Sequence, residues 1–285
     1  MTTAELAPRR ARPGPRRSAH WLLHLVLILG STLMLMPFGV MLLASLMPKA
    51  DILQRTVRLE NLTLQNYVQM FSAVPFGRFY LNSLIVAVAT VTLQILTASL
   101  AAFAFARLRF RGREAIFVLY LATLMIPSQV TMIPNFILMR YLRWYNTYQA
   151  LILPSAFSVF STFLLRQYFM AIPNEFEEAA MIDGASPFQV FYRIYLPLVS
   201  SVLAVLAVLT FNSHWNEFFR PLIFMVTKEK FTIPLGLFDL QGYMMTGSIS
   251  TVLAGIVLSM IPVFIVYLFG QRYLIEGIMM GGLKA

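Results

Sequence analysis

The sequence has no cysteine, few charges and only three histidines. The lack of cysteine excludes disulfides, thiolate metal sites and a catalytic thiol. Charged residues make up 12% of the 285 positions, whereas an ordinary soluble domain has about 25%. The sequence also lacks the Gly-x-x-x-x-Gly-Lys-Ser/Thr loop that cradles phosphates, and it offers no catalytic triad or metal cluster. We therefore expect a chain that is not an enzyme and does not hydrolyse ATP itself.

Long uncharged runs dominate the sequence. Hydrophobic residues make up 59% of the chain and the mean hydropathy is +0.73. A helix needs about 20 mostly apolar residues to cross a bilayer. Six uncharged runs reach that length, at residues 18–48, 79–106, 115–139, 144–165, 194–216 and 240–271. The sequence predicts an all-α integral membrane protein with six transmembrane helices, in which residues 1–20 form an Arg/Pro-rich cytosolic tail and residues 21–285 form the membrane domain.

The positive charge is concentrated in short connections. The net charge is +10, with five arginines before the first run and four more between residues 107 and 113. Arginine and lysine in short loops mark the cytoplasmic side of a membrane protein, so the charge indicates orientation in a membrane and not nucleic-acid binding. Because an even number of spans returns the chain to its starting side, both termini and the connection at residues 174–197 are predicted to be cytoplasmic.

This connection, NEFEEAAMIDGASPFQVFYRIYLP, is a polar segment between two apolar runs and contains four of the chain's 12 acidic residues. Asn174 is a good helix N-cap, and Glu177 three residues later has the spacing of a capping box. A first helix is therefore predicted over residues 175–183. Gly184 follows at a point where helix ends often need left-handed dihedrals, which glycine adopts without steric penalty.

A second helix is predicted after this glycine. Ser186 is its N-cap, Pro187 occupies its first position, and Gln189 completes another capping box. One face of this helix is predicted to carry the aromatic residues Phe188, Phe191 and Tyr195. The resulting helix–turn–helix elbow (residues 174–197) is either an amphipathic hairpin resting on lipid headgroups or a surface that a partner protein binds. Anionic lipid repels acidic residues, whereas a basic groove attracts them, which favours a protein partner.

The third run contains two prolines, Pro127 and Pro134, in LMIPSQVTMIPNF. Each removes an intrahelical hydrogen bond and is expected to bend the helix. Such bends persist in membranes where protein or a wet cavity satisfies the freed carbonyls. Gln129 and Asn135 are polar at that depth, and they either line a translocation path or form hydrogen bonds between helices.

Part of the elbow matches a known signature. EAAMIDGASPFQVFYRIYLP resembles the EAA signature of ABC-importer permeases at seven positions: Glu178, Ala179, Ala180, Gly184, Ile194, Leu196 and Pro197. The segments NYVQMF, HWNEFFRPLI and QRYLIEGIMMGGLKA are similar to the maltose-type, carbohydrate-uptake branch of these permeases. The resemblance covers essentially everything after residue 20 and implies the type I ABC importer fold.

The resemblance implies a role for the elbow. In that family it is the coupling helix, which docks into a groove of a cytosolic ABC ATPase, and ATP-driven closure of two ATPase copies rocks the paired permeases. Glu178 would be the acidic contact with the ATPase and Gly184 the bend. The full set of coupling residues would be Glu178, Ala179, Ala180, Asp183, Gly184, Ile194, Leu196 and Pro197. Gly281 and Gly282 resemble part of a C-terminal tail that reaches toward the ATPase.

The resemblance also implies partners and a location. The partners would be a second homologous permease in a heterodimer, two copies of the ATPase, an extracytoplasmic solute-binding protein and membrane lipid, but no nucleic acid. This chain would bind no cofactor and no metal, since ATP and Mg²⁺ would be held by the ATPase subunits. The assembly would lie in the plasma (inner) membrane of a bacterium or an archaeon.

A polar group late in the fifth run concerns the solute. Ionisable residues within spans are functional candidates, and sugars are held by aromatic faces together with amide and carboxylate hydrogen bonds. The group comprises Asn212, His214, Trp215, Asn216 and Glu217. It either lines the translocation path or anchors the external gate or the partner permease.

Two other classes of protein are alternatives to an importer subunit. A secondary transporter or channel would show paired broken helices in repeated halves, which the sequence does not display. A membrane-bound enzyme would need a reactive set of residues, which is missing. The solute stays open between a mono- or oligosaccharide, glycerol phosphate and another polyol-like compound.

Overall fold

The computed structural model describes residues 17–54, 56–242 and 248–282, so most of the predicted tail, residues 1–16, lies outside it. All regular structure in these ranges is helical. The α-helices are α1 (Arg17–Leu46), α2 (Lys49–Leu53), α3 (Gln65–Ala73), α4 (Phe76–Arg107), α5 (Arg113–Ala122), α6 (Met132–Tyr141), α7 (Gln149–Ile152), α8 (Val159–Ala171), α9 (Glu175–Ile182), α10 (Pro187–Val190), α11 (Leu196–Leu198), α12 (Ser200–Trp215), α13 (Phe219–Phe224), α14 (Ile233–Leu240) and α15 (Ile249–Gly282). Short 3₁₀ turns lie at Leu59–Asn61, Thr123–Met125, Pro154–Ala156 and Lys228–Lys230, and a π-helical turn lies at Phe191–Tyr195.

Five of the six predicted runs contain recognisable spans. Four helical stretches of the described chain are long and apolar enough to cross a membrane: Trp21–Leu46, Phe76–Arg107, Gln149–Ala171 and Ile249–Tyr273. The fifth run combines two helical pieces that meet at an angle of 76°. The longer of the two pieces is α12, whose 16 residues are about 24 Å long at 1.5 Å per residue.

The third run does not form one helix. α5 and α6 contain 10 residues each, too few for either to cross a bilayer alone. Ile126 is extended, at φ −85° and ψ 113°, because Pro127 disfavours a helical conformation of the residue before it. Pro134 is the third residue of α6, where an amide hydrogen has no intrahelical acceptor to lose. The prediction that both prolines bend one helix is therefore wrong: Pro127 separates two helices and Pro134 lies in a first turn.

The two halves of this run still connect the two ends of α4. The ring of Phe117 in α5 lies 5.2 Å from that of Phe105, near the end of α4. Met139 of α6 is buried in one cluster with Val86, in the first half of α4. Val86 and Phe105 are 19 residues apart in one helix, or about 28 Å, close to the ~30 Å hydrocarbon thickness of a bilayer. The third run thus passes through the same depth as α4.

α4 is the centre of the bundle and packs against α8, α12 and α14. Ala98, Ser99 and Ala102 are buried in its second half, where small side chains let neighbouring helices approach closely in lipid. α1 is different, because it packs mainly along α15 and leaves its apolar side chains exposed. α1 therefore presents a continuous apolar surface, as lipid or another membrane subunit requires.

Candidate functional site

The first helix of the elbow ends at a left-handed glycine. Gly184 has φ +82°. Its amide donates to the carbonyl of Met181 at 3.0 Å, and the amide of Ala185 donates to the carbonyl of Ala180 at 2.9 Å. These two bonds form a Schellman motif, which satisfies carbonyls that a helix end leaves free. The prediction that Gly184 makes the bend is confirmed, and α9 ends at Ile182.

The second helix of the elbow begins with the predicted capping box. The amide of Gln189 donates to Ser186 Oγ at 3.3 Å, and the amide of Ser186 donates to Gln189 Oε1 at 2.7 Å. Pro187 occupies the first turn, where its fixed φ suits a helix start. The local sequence therefore determines where this helix begins.

The second helix changes to a π turn after one turn. α10 ends at Val190, and residues Phe191–Tyr195 follow with the wider π geometry, in which each carbonyl bonds five residues ahead. Phe191 and Tyr195 are buried, whereas Phe188 is 63% exposed. The ring of Phe188 nevertheless lies 6.0 Å from that of Phe191, and Phe191 and Tyr195 both pack on Phe103. The predicted aromatic face therefore forms, with Phe188 at its exposed end.

The capping box predicted for Asn174 and Glu177 does not form. The side chain of Asn174 caps no amide of α9 and instead accepts a hydrogen bond from Arg107. Glu177 Oε2 accepts from the hydroxyl of Tyr195 at 2.9 Å. Both side chains thus connect the elbow to other elements instead of capping their own helix.

The outer surface of the elbow combines acidic and apolar side chains. Glu178 and Asp183 are exposed. Four large apolar side chains are exposed beside them: Phe176, Met181, Ile182 and Phe188. Large exposed apolar groups with polar neighbours are typical of protein-binding surfaces.

The inner surface of the elbow packs on the bundle. Ala180, Ile194 and Leu196 contact a buried cluster at this end of α4 and α8 that includes Phe103, Phe169, Phe191 and Tyr195. Ala179 is exposed, and Pro197 lies in α11. The signature residues therefore divide between an outward surface and an inward contact. Gly281 and Gly282 continue the backbone of α15, and their predicted contact with an ATPase stays a prediction.

A cleft of about 590 Å³ separates α9 from the connection after α4. Its walls combine both signs of charge, with Arg107, Arg109 and Arg113 facing Glu177 and Glu178. The same acidic side of the elbow therefore borders the arginine-rich connection.

Arg166, which the sequence analysis did not single out, forms a second contact between elements. Its side chain is 8% exposed and its Nη2 lies 2.8 Å from both carboxylate oxygens of Glu114. Its Nε donates to the carbonyl of Phe105 at 3.2 Å, and its guanidinium lies 4.0 Å from the ring centre of Phe117. One arginine of α8 thus joins α4 and α5, where an unpaired buried charge would be costly.

Three of the residues predicted for a path or gate meet in one cavity. A cavity of about 280 Å³ lies at the break in the third run, lined by Gln129, Asn135 and Glu217. Arg220 lines it too, and its guanidinium donates to Ser155 Oγ. The cavity therefore carries amide groups and both signs of charge.

The other predicted path residues divide between two environments. Asn212 on α12 and Asn216 just after its end are exposed, and the Asn216 side-chain amide donates to the Asn212 backbone carbonyl at 2.8 Å. Trp215 is only 2% exposed. Its ring stacks on Phe211, and its Nε1 donates to the carbonyl of Ser259 at 2.9 Å. Trp215 thus belongs to the core and does not face the path, a correction to the sequence prediction.

A second polar cavity was missed from the sequence. It measures about 220 Å³ and lies between α4, α8 and α12, beside His214. Gln94 Nε2 donates to Ser161 Oγ at 3.0 Å and to Thr210 Oγ1 at 2.9 Å. A lone glutamine inside the second run was the signal that could have indicated it. In the part of the chain that the structure describes, no cluster of acidic and histidine side chains could hold a metal ion.

Comparison with known proteins decides the family. Residues 94–276 match the model of the binding-protein-dependent transport system inner membrane component family, which is more than half of the chain. The chain belongs to this family. It is a permease, the membrane-spanning subunit of a binding-protein-dependent ABC importer and not an enzyme, and the ATPase is a separate subunit.

Several curated permeases and one crystal structure are similar along nearly their whole length. The arabinooligosaccharides transport system permease protein of Halalkalibacterium halodurans is 34% identical over 93% of this chain and 96% of its own. The lactose transport system permease protein of Rhizobium radiobacter is 32% identical over 91% and 94%. A chain in the crystal structure of a bacterial ABC transporter involved in the import of the acidic polysaccharide alginate has a TM-score of 0.75 and 27% identity, covering 94% of this permease and 99% of that chain.

Proposed function

We propose that this permease is one half of a heterodimeric importer that moves a sugar or a related polyhydroxylated solute into the cell. Relatives named for arabinooligosaccharides, lactose and sn-glycerol 3-phosphate support that class of solute. The solute would be delivered by an external binding protein, and both termini of the permease would lie in the cytoplasm.

The elbow is the observation that carries the proposal. Its exposed carboxylates and apolar side chains form a surface for a cytosolic partner, which we assign to one of two ATPase copies that hold ATP and Mg²⁺. Glu178 would contact that subunit, with Asp183 beside it. Gly184 would keep α9 and α10 folded together, since its φ of +82° is strained for residues with a Cβ.

The two polar cavities support a path along α12. One carries Gln94, Thr210 and His214, and the other carries Gln129 and Glu217. Hydroxyls, amides and a carboxylate match the hydrogen-bonding groups of a sugar. Polar side chains are also expensive against lipid and face protein or water instead, which supports a route along this face.

Uptake by proteoliposomes tests the proposed function. The permease is reconstituted alone, or with the second permease, the ATPase and the binding protein, and three probes are offered: arabinotriose, lactose and sn-glycerol 3-phosphate. We expect one probe to accumulate only in the complete system and only with ATP. Flux through the permease alone would instead identify a secondary transporter or channel.

Two variants of the complete system test the elbow. Glu178→Lys reverses the charge of the outer surface, and Gly184→Asp adds a Cβ at the left-handed position, so both are expected to insert in the membrane but to abolish uptake. Gly112→Asp is the matched control, because Gly112 has φ +78° in another connection and suffers similar strain. Unimpaired uptake by both elbow variants would refute the coupling role.

A further inference from the structure

One buried guanidinium holds the elbow to the membrane bundle. Arg107 is the last residue of α4, and its side chain is 8% exposed. The positive-inside pattern explains an arginine in this connection but not its burial, since a cytoplasmic arginine that only set orientation would stay in water. Of the other arginines of the connection, those at 109 and 111 are exposed, and the side chain of Arg113 is 30% exposed.

The side chain of Arg107 caps the C-terminal end of α8. Its Nη2 donates to the carbonyl of Phe169 at 2.5 Å and also to the carbonyl of Ile172. These carbonyls lie at the C-terminal end of a helix, where backbone acceptors have no intrahelical donor and the dipole attracts a cation. The guanidinium therefore joins α4 to α8 by charge-assisted hydrogen bonds.

The same side chain reaches the elbow. Its Nη1 donates to Asn174 Oδ1, just before α9, and lies 4.0 Å from Glu177 Oε2. Its guanidinium carbon lies 5.0 Å from the ring centre of Tyr195, whose hydroxyl donates to that same carboxylate oxygen at 2.9 Å. Arg107, Glu177 and Tyr195 thus form a closed triangle between α4, α9 and the π turn.

We propose that Arg107 is the positioning residue that makes the elbow move as one body with α4 and α8, so that a force applied to α9 reaches the membrane helices. This inference rests on the proposed coupling function and adds the connection behind the docking surface. Without Arg107, α9 would be attached through Ala180 and Ala185 on the core cluster and through the Glu177–Tyr195 bond, and it could shift relative to α4. Lysine would not replace the guanidinium, because a single ammonium cannot reach all these acceptors in a fixed plane.

The distance between a label on α4 and a label on α9 tests rigid attachment. The chain contains no native cysteine, so Leu96→Cys and Glu175→Cys give one labelled pair of exposed sites. Leu96 lies 11 residues before Arg107, or about 16 Å along the helix, so its label reports on α4 away from the Arg107 contact. Double electron–electron resonance measures the distance between the two labels. The assembled complex is measured without nucleotide and with ATP plus vanadate.

We expect the wild-type background to give one narrow distance distribution that is the same in both states. Arg107→Gln is expected to broaden it, to change it between the states and to suppress uptake while the ATPase still co-purifies. Loss of a charge-assisted hydrogen bond corresponds to roughly a 10- to 100-fold rise in the population of a detached elbow. Arg107→Lys should lie in between, and Arg111→Gln, which removes the same charge from an exposed side chain outside the cleft, should match the wild type.

An unbroadened distribution in Arg107→Gln would overturn the inference. If that variant fails to assemble, Arg107→Lys serves instead, because lysine keeps the charge but cannot reach all the acceptors of the guanidinium; an unbroadened distribution there would overturn the inference equally. Failure of the proposed coupling function would give a different result. In that case Glu178→Lys would transport normally, independently of the distances between the labels.

Discussion

At the scale of single residues, two helix contacts are made through a glycine: Gly236 of α14 meets α4, and Gly255 of α15 meets α14. A Cβ on Gly236 of α14 would lie 2.1 Å from Cδ2 of Phe79, and this ring of α4 is fully buried. Protein interiors are close-packed, so the ring has no free space into which it could move. Gly255 of α15 is similarly restricted, with Leu237 Cδ2 2.6 Å from the position of a Cβ.

Gly236→Ala is expected to destabilise the permease by about 1–3 kcal/mol, the cost of overpacking a filled core. Gly77→Ala is the control, because no atom lies within 4 Å of its Cβ position, and alanine favours a helix by up to about 1 kcal/mol over glycine. Thermal unfolding of the purified protein in detergent measures both. An unchanged midpoint for Gly236→Ala would show that Phe79 adapts.

Helix ends could be predicted from the sequence where the residues that form them are neighbours in the chain. Gly184 and the capping box of Ser186 depend on neighbours within a few residues, and both predictions are confirmed. The capping box predicted for Asn174 does not form, because the side chain of Asn174 bonds instead to Arg107, which is 67 residues away. A charged side chain from a distant part of the chain thus takes the place of the local helix cap. No pattern of neighbouring residues predicts such a long-range contact.

At the scale of elements, the two prolines predicted that the helix of the third run is interrupted. They did not predict that the run divides into two separate helices. The effect depends on where the proline falls in the hydrogen-bond pattern, and Pro134 falls in a first turn. The break leaves Gln129 and Asn135 beside Glu217 in a cavity. Irregular backbone at membrane depth is tolerated beside protein or water but not beside lipid.

This break is therefore expected to be accessible to water. Gln129→Cys and Asn135→Cys should react with a charged, membrane-impermeant methanethiosulfonate, since the thiolate is the reactive form. Leu119→Cys on α5, an exposed apolar position, should stay unlabelled because it faces hydrocarbon. Mass spectrometry of the purified chain after labelling measures each. Equal labelling at the three positions would contradict a selective water-filled route.

At the scale of the whole molecule, the number of crossings decides on which side the chain ends. Composition was enough to predict a helical membrane protein, and the arginine-rich connections predict its orientation. A broken third run raises a further possibility, since a re-entrant loop would leave five crossings and reverse everything after it. Contacts of Phe117 near the end of α4 and of Met139 with Val86 near its beginning support a full crossing.

Single cysteines in the cysteine-free chain decide between these two topologies. Glu60→Cys, Arg111→Cys and Arg140→Cys are exposed positions: Glu60 precedes α4, Arg111 lies between α4 and the third run, and Arg140 follows that run. For six crossings with cytoplasmic termini, an impermeant maleimide added to intact cells should label Glu60→Cys and Arg140→Cys, and Arg111→Cys only after permeabilisation. A re-entrant run would protect Arg140→Cys together with Arg111→Cys. It would also place the acidic elbow outside the cell, where no cytosolic ATPase could reach Glu178.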